Sequence, residues 1–197
     1  MDFNELAPGI VVYKNVLPNA DKIYNDLEDG LKSVNIEWGK AFVRAGSEIK
    51  VDVYSRNTDI VDIPYSPIIL DDYSIGKAFA TTMSNLFLEN FKPREEHYKS
   101  LYATVTTSHE SYGFLRYGLG QQFTNHVDDH TNIPRRISFV YYINDDYKGG
   151  EIEFPRFNIK YKPNANEMLF FPSTFVYNHS VLPVTSGYRY AVVSWLN

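Results

Sequence analysis

Residues 136–171, RISFVYYINDDYKGGEIEFPRFNIKYKPNANEMLFF, contain short apolar runs separated by turn-forming residues. The runs are 136–143, 151–154, 157–162 and 167–171, and Asn, Asp, Gly and Pro fill the gaps between them. Runs of this length, rich in aromatic and β-branched residues, predict strands rather than helices. The Gly149–Gly150 pair predicts a hairpin turn between the first two runs. This stretch therefore predicts the centre of a β fold.

The same pattern continues on both sides of that stretch. Further strands are predicted at 111–117, 121–126, 178–182 and 188–196. About eight short strands at this spacing are typical of a closed or double-sheet architecture such as a jelly roll. We predict an α+β fold that is mostly β, with a double-stranded β-helix (jelly-roll) core.

Helices are predicted to support this core from the N-terminal side. Asn19 is a candidate helix cap, and the apolar residues after it that share a helical face are Ile23, Tyr24, Leu27 and Leu31. A second helix is predicted over 74–91, with Pro93 ending it. We expect one domain, 1–197, in which 1–100 supplies helical support and outer strands and 101–197 supplies the jelly-roll core.

Composition narrows the classes of protein. The chain has 197 residues, a net charge of -5 and no cysteine, which excludes disulfide scaffolds, thiolate metal sites and cysteine nucleophiles. The acidic balance argues against a nucleic-acid partner, because such binding depends on Lys and Arg. No segment approaches the ~20 apolar residues of a membrane span, and the N-terminus lacks the basic start of a secretory signal. We therefore expect a cytoplasmic protein without a nucleic-acid or membrane partner.

Four residues form a pattern that indicates metal chemistry. His126 and Asp128, in NHVDDH, are two apart, so on an extended segment both side chains point to one side. His179 lies on another predicted strand, and two imidazoles with one carboxylate make the 2-His-1-carboxylate triad of non-haem Fe(II) oxygenases. Arg189 follows inside an apolar strand, where a buried guanidinium requires an anionic partner. Each element is weak by itself, but their order and spacing together are specific.

The segment from Leu115 to Leu196 resembles the prolyl-4-hydroxylase-like branch of the Fe(II)/2-oxoglutarate-dependent dioxygenases. The matching stretches are LRYGLGQQFTNHVDD, RRISFVYYINDDYKGGEIEFP, YKPNANEMLFF and HSVLPVTSGYRYAVVSWL. A looser similarity extends into the first hundred residues, through VVYKNVLPNADKIY and VYSRN.

The resemblance implies a role for each matching residue. His126, Asp128 and His179 would bind Fe(II). Arg189 would bind the distal carboxylate of 2-oxoglutarate, assisted by the Tyr142 hydroxyl. The remaining residues with implied roles are Tyr117, near the metal-chelating end of the co-substrate, and Trp195 and Phe123, at the substrate side of the pocket. Phe123 stands where plant-like and algal members often have Tyr.

The reaction implied by the resemblance is prolyl 4-hydroxylation of a protein or peptide, with succinate and CO2 as co-products. Its cofactors and co-substrates are Fe(II), 2-oxoglutarate and O2, with ascorbate as an optional addition. Two alternatives stay open: the same oxygenase chemistry on a non-prolyl substrate, and a catalytically silent jelly-roll binding module. A silent module would need neither the triad nor the buried arginine.

Overall fold

The structure, a computed structural model, describes residues 1–18, 20, 25, 38–45, 48–63, 77–129 and 134–197. The N-terminal strands are β1 (Phe3–Ala7), β2 (Ile10–Tyr13), β3 (Gly39–Lys40), β4 (Val43–Ala45), β5 (Glu48–Lys50), β6 (Arg56–Asn57) and β7 (Asp59–Ile63). Helix α1 (Lys77–Leu101) follows. The later strands are β8 (Tyr112–Tyr117), β9 (Gln122–His126), β10 (Ile137–Tyr142), β11 (Lys148–Gly149), β12 (Ile152–Phe154), β13 (Ile159–Tyr161), β14 (Glu167–Pro172), β15 (His179–Val181), β16 (Val184–Ser186) and β17 (Arg189–Leu196). Two short 3-10 helices are Pro155–Phe157 and Phe175–Tyr177.

Two antiparallel sheets form the jelly roll. The major sheet has eight strands in the order β1-β2-β14-β10-β17-β8-β7-β3, and the minor sheet has five in the order β13-β12-β15-β9-β6. The four inner strands of the major sheet all come from residues after 100, and strands from the N-terminal part flank them on both sides. The eight strands predicted from the sequence are all present, so the predicted mostly-β fold is confirmed.

Strand alternation divides the interior into two layers of core. On β10, Val140 and Tyr142 face the minor sheet, whereas Phe139 and Tyr141 face helix α1. Both faces of the central strands are buried, which is why RISFVYYI reads as a continuous apolar run. A pocket lined by Tyr117, Val140 and Val181 lies in the layer between the two sheets.

Helix α1 covers the outer face of the major sheet and is longer than predicted. Pro93 lies inside it, and the helix continues to Leu101. An interior proline removes one backbone hydrogen bond. The turns beyond Pro93 bury Tyr98, whose hydroxyl donates to the Gly9 carbonyl at 2.8 Å. These tertiary contacts hold the last turns in helical form, so the prediction that Pro93 ends the helix is wrong.

The N-terminal helix predicted after Asn19 lies almost wholly outside the described residues; Ala20 and Asn25 are helical. Among the described helices, none combines the length and apolar character needed to cross a membrane.

The predicted Gly149–Gly150 hairpin is also wrong. Strand β10 pairs with β14 and β17, whereas β12 pairs with β13 and β15, so the chain crosses from one sheet to the other between them. Both glycines have positive φ, 70° and 64°. A Cβ on Gly149 would lie 2.3 Å from the Pro183 carbonyl oxygen, so this crossover requires glycine there.

Candidate active site

Three ligand-type side chains converge between the sheets. His126 ends β9, His179 begins β15, and the two residues are directly paired. Asp128 lies two residues beyond β9, with its Oδ1 3.6 Å from His126 Nε2 and its Oδ2 3.7 Å from His179 Nε2. One ligand atom from each residue lies within 4.8 Å of the others. The structure thus brings the predicted triad together.

The hydrogen bonds of both imidazoles leave Nε2 free to bind a metal. His126 Nδ1 donates to the Thr124 carbonyl at 2.8 Å, and His179 Nδ1 donates to the Tyr177 carbonyl at 3.1 Å. A carbonyl only accepts, so the proton of each neutral ring is on Nδ1. The lone pair of each ring is then on Nε2, the atom that faces Asp128.

Burial sets the protonation states of the triad. It lowers the pKa of His179 to about 4, helped by the neighbouring His126 imidazole. Burial alone would raise the pKa of Asp128, but the two imidazoles and a hydrogen bond from Ser138 outweigh it and hold that pKa below its usual range. At neutral pH the site therefore offers a neutral His179 and an ionised Asp128 carboxylate, so these two residues can bind a metal without first losing a proton.

Buried serines hold the carboxylate in place. Ser138 Oγ donates to Asp128 Oδ2 at 2.7 Å, and Ser173 Oγ lies 2.8 Å from Ser138 Oγ. Such support fixes the direction of a ligating oxygen. Two imidazoles and one oriented carboxylate fit Fe(II), whose facial triad leaves positions open for other ligands.

Arg189 lies deeper between the sheets and is 1% exposed. Its guanidinium carbon is 4.9 Å from the ring centroid of Tyr117 and 5.1 Å from that of Tyr142. Among the described residues, the Nε and Nη1 atoms of Arg189 and the Tyr142 hydroxyl have no hydrogen-bond partner. Buried donors without partners are expensive, so this geometry fits an anion with several acceptor oxygens. A carboxylate is such an anion.

Aromatic rings and arginines form the outer part of the pocket. The Phe123 ring stacks on His126 with centroids 3.4 Å apart, and the Arg56 guanidinium lies 4.8 Å from the Phe123 centroid. The Arg135 guanidinium lies 3.5 Å from the centroid of the Trp195 ring. Phe123 therefore lies against the triad, and Trp195 lines the same cavity.

One cavity joins these parts. Its lining includes seven of the eight predicted site residues: His126, Asp128, His179, Arg189, Tyr117, Phe123 and Trp195. Tyr142 is the eighth, and it lies beside Arg189. The metal triad and the buried guanidinium thus open onto the same space.

Sequence reasoning missed four residues of this region: Ser138, Arg135, Arg56 and Tyr147. Ser138 had a readable signal, because it is a polar residue on the inward-facing alternation of a buried strand. Arg135 donates to the Asp128 carbonyl at 3.4 Å and makes two 2.7 Å hydrogen bonds to Glu110, a contact between distant segments that no local motif encodes.

Comparison with known proteins agrees with this geometry. Residues 112–197 match the model of the 2OG-Fe(II) oxygenase superfamily. A PKHD-type hydroxylase of Prochlorococcus marinus (strain MIT 9215) is 35% identical over 83 residues, covering 39% of this chain and 37% of the relative. The "probable prolyl 4-hydroxylase 9" of Arabidopsis thaliana is 30% identical over 122 residues, covering 47% of this chain and 42% of the relative. The chain thus spans about two fifths of the length of these curated relatives.

The fold also matches solved structures. A prolyl hydroxylase from Trichoplax adhaerens, in complex with a peptide fragment of the hypoxia inducible factor oxygen degradation domain, has a TM-score of 0.69 at 17% identity. The match covers 95% of this chain and 83% of that chain. At this identity the likeness establishes the fold alone. The family model and the relatives confirm the resemblance predicted from the sequence, and the solved structure confirms the jelly roll.

Proposed function

We propose, from the 2OG-Fe(II) oxygenase match of residues 112–197, that this protein is an Fe(II)- and 2-oxoglutarate-dependent hydroxylase acting on prolyl residues of a protein or peptide. The superfamily implies Fe(II), 2-oxoglutarate and O2 as cofactor and co-substrates. The observation that carries the proposal is the meeting of three ligand side chains and a buried guanidinium on the lining of one cavity. Ascorbate is an optional addition to the assay.

In this proposal His126, Asp128 and His179 hold the iron. Bound Fe(II) supplies the activation of O2, coupled to decarboxylation of 2-oxoglutarate to succinate and CO2 and to hydroxylation of the substrate. Ser138 keeps the Asp128 carboxylate aimed at the metal through its 2.7 Å hydrogen bond. The chain's contribution is orientation of the ligands and exclusion of water, because His179 and Asp128 are both buried.

Arg189 binds the distal carboxylate of 2-oxoglutarate in this proposal. Its planar fork suits two carboxylate oxygens, and the Tyr142 hydroxyl beside it is a further donor. Tyr117 pairs with Arg189 across the strands and lines the cavity, where it contacts the co-substrate nearer the metal. The low dielectric of this buried position strengthens each of these contacts.

A prolyl residue in a protein or peptide is the substrate we propose. The Trichoplax relative is recorded with a peptide, and the Arabidopsis relative carries the name of a prolyl 4-hydroxylase. Trp195 and Phe123 add aromatic surface to the lining of the cavity that holds the triad, where a pyrrolidine ring can pack. An extended proline-rich segment loses little conformational entropy on docking. We further infer a single domain over 1–197 and a cytoplasmic location.

The test is an assay of purified protein with Fe(II), 2-oxoglutarate, O2 and a panel of proline-containing peptides. We expect succinate to form in step with a mass increase of one oxygen atom on proline. Asp128→Ala is the control and should form no succinate, since the iron loses its only anionic ligand. No succinate from the wild-type protein with any peptide would reject the oxygenase proposal.

A second outcome is distinguishable in the same assay. Succinate formation that needs Asp128 but leaves every prolyl peptide unmodified would reject proline as the substrate. It would support the same oxygenase chemistry on another substrate. Phe123 is the observation that keeps this candidate open, because it carries no hydroxyl for recognising a peptide group, and Arg56 lies against its ring.

A further inference from the structure

We infer that Tyr147 is a further ligand of the distal carboxylate of 2-oxoglutarate, acting together with Arg189 and Tyr142. The inference rests on the proposed function and deepens it. Tyr147 lies in the crossover between β10 and β11, and it was not among the site residues predicted from the sequence.

The Tyr147 hydroxyl is a buried polar group that lies near Arg189 but makes no hydrogen bond of normal geometry with the described residues. The residue is 4% exposed, and its hydroxyl has no hydrogen-bond partner among the described residues. Burial raises the pKa of Tyr147, partly opposed by the charge of Arg189 close by, so the hydroxyl keeps its proton and is a donor. A phenylalanine would fill the same space without a stranded hydroxyl. A purely structural role therefore gives no reason for tyrosine at this position.

The unsatisfied groups around Arg189 match one carboxylate in number. They are the Nε and Nη1 atoms of Arg189 and the hydroxyls of Tyr142 and Tyr147. An ionised carboxylate has two oxygens with about four lone-pair sites and accepts only. Each of the four donor atoms can direct one hydrogen at such a carboxylate, which is the pairing expected of a buried anion pocket. If Tyr142 were the only tyrosine that binds the carboxylate, the Tyr147 hydroxyl would stay without a partner when the ligand is bound.

Contacts of Lys162 and the space over Gly150 keep Tyr147 next to Arg189. The Lys162 ammonium lies 2.9 Å from the centroid of the Tyr147 ring and donates to the carbonyls of Tyr147 and Gly149 at 3.1 and 3.3 Å. A Cβ on Gly150 would lie 3.0 Å from both Tyr147 Cε2 and Arg189 Cδ. Glycine at 150 thus allows the tyrosine and the arginine to pack together.

The start of the crossover is fixed as well. Asn144 donates to the Tyr188 carbonyl at 2.7 Å and to Asp146 Oδ1 at 2.5 Å, and its own Oδ1 accepts from the Tyr190 N–H at 2.8 Å. These hydrogen bonds connect the crossover segment to Tyr188 and Tyr190, the two sequence neighbours of Arg189. A donor held on such a segment is oriented before the ligand arrives.

The test measures 2-oxoglutarate binding to the Mn(II)-loaded protein by titration calorimetry, without turnover. We expect Tyr147→Phe to weaken binding by roughly ten- to a hundredfold, the range expected for a hydrogen bond to a charged group. Tyr142→Phe is the reference for a loss of the same kind. Tyr141→Phe is the matched control and should bind like the wild type, because Tyr141 lies on the other face of β10 and bonds Asn166 at 3.1 Å.

A second ligand separates direct contact from a change in pocket shape. 2-Oxopentanoate keeps the keto acid and the chain but lacks the distal carboxylate. A residue that binds that carboxylate should affect 2-oxoglutarate alone, so Tyr147→Phe should leave the weak binding of 2-oxopentanoate unchanged. An equal loss for both ligands, or no loss for 2-oxoglutarate, would overturn the inference while the proposed function stands. Failure of the wild-type protein to bind 2-oxoglutarate would overturn both.

Discussion

The two imidazoles of the candidate metal centre are fixed by the same local device. Each Nδ1 donates to the carbonyl two residues earlier in the chain, from His126 to Thr124 and from His179 to Tyr177. The strand or turn that carries each histidine therefore sets its tautomer. This device needs no distant partner, and it explains how short strands can present the Nε2 atoms of two imidazoles to one metal.

His179→Ala should abolish Mn(II) binding at micromolar metal, since two ligands cannot complete the facial triad. The measurement is a calorimetric or electron paramagnetic resonance titration of the metal-free protein. His97→Ala is the control: His97 shares a hydrogen bond with the Tyr13 hydroxyl, away from the triad, and its loss should leave metal binding intact. Unchanged metal binding by His179→Ala would remove that residue from the site.

Lys162 predicts a pH dependence of stability. Burial and the nearby Arg189 lower the pKa of its ammonium to about 8, against the opposing charges of Glu151, Asp145 and Asp146. Between that pKa and the ordinary lysine pKa of 10.5, the unfolded chain holds a proton that the folded chain has lost. The free energy of unfolding should therefore rise with pH across this window relative to a Lys162→Met variant.

The measurement is urea unfolding of the wild type and of Lys162→Met at about pH 7 and about pH 9.5. The difference in free energy of unfolding between the two proteins should increase with pH, and taking this difference cancels the contributions of the other titrating groups. A difference that stays flat or falls would show that the Lys162 pKa is not lowered.

Residue roles were predictable where the pattern is local. The His126 and Asp128 pair could be read from its spacing of two, because alternation along an extended segment puts both side chains on one side. Tyr147 could not be read this way. Its position beside Arg189 depends on a crossover between the two sheets and on close packing over Gly150, which has no Cβ. The sequence around Gly150 does not show that the chain changes sheets there.

At the level of elements, strand positions were predictable and strand partners were not. Apolar runs and turn residues located eight strands. Strands β11 and β16, which pair with each other in a small two-stranded sheet, lie in segments that the sequence predicted as turns. The Gly149–Gly150 pair has the local chemistry of a hairpin. Local turn chemistry does not determine which sheet the next strand joins, because that choice depends on how the two sheets pack.

Helix α1 shows tertiary burial overriding a local signal, and it provides a test. Pro93 is exposed in the interior of the helix, where proline removes one backbone hydrogen bond. Pro93→Ala should raise the free energy of unfolding by about 1 to 3 kcal/mol, measured by urea titration. Lys92→Ala, at the exposed neighbouring position, should change it by less than about 0.5 kcal/mol. A clear loss of stability in Pro93→Ala would show that the packing around Tyr98 needs the proline.

On the scale of the whole molecule, the two halves of the sequence interleave. Strands β1 and β2 flank one side of the inner strands of the major sheet, and β7 and β3 flank the other. Helix α1 then buries Phe87 and Phe91 against the outer face of the same sheet. The C-terminal part alone carries the triad and Arg189, but it lacks these flanking strands and the helix.

A fragment of residues 101–197 should therefore fail to fold on its own. Removing β2 and α1 exposes apolar surface that side chains such as Val11, Phe87 and Phe91 now cover, each 0% exposed. Circular dichroism and dye binding would show an expanded state without a cooperative thermal transition. The full chain is the control, and a cooperative transition in the fragment would contradict the inferred single domain.

The irregular first strand has a consequence for behaviour at high concentration. In the described part of the chain β1 forms one edge of the major sheet, and its pairing with β2 shifts between Glu5 and Ala7. A bulge at an edge disrupts the even row of backbone donors and acceptors that a second molecule would need for sheet extension. Glu5 adds a carboxylate there, and its bonds to Gly9 and Tyr102 keep it in place. Edge-to-edge aggregation is thereby opposed at the side of the sheet where the chain begins.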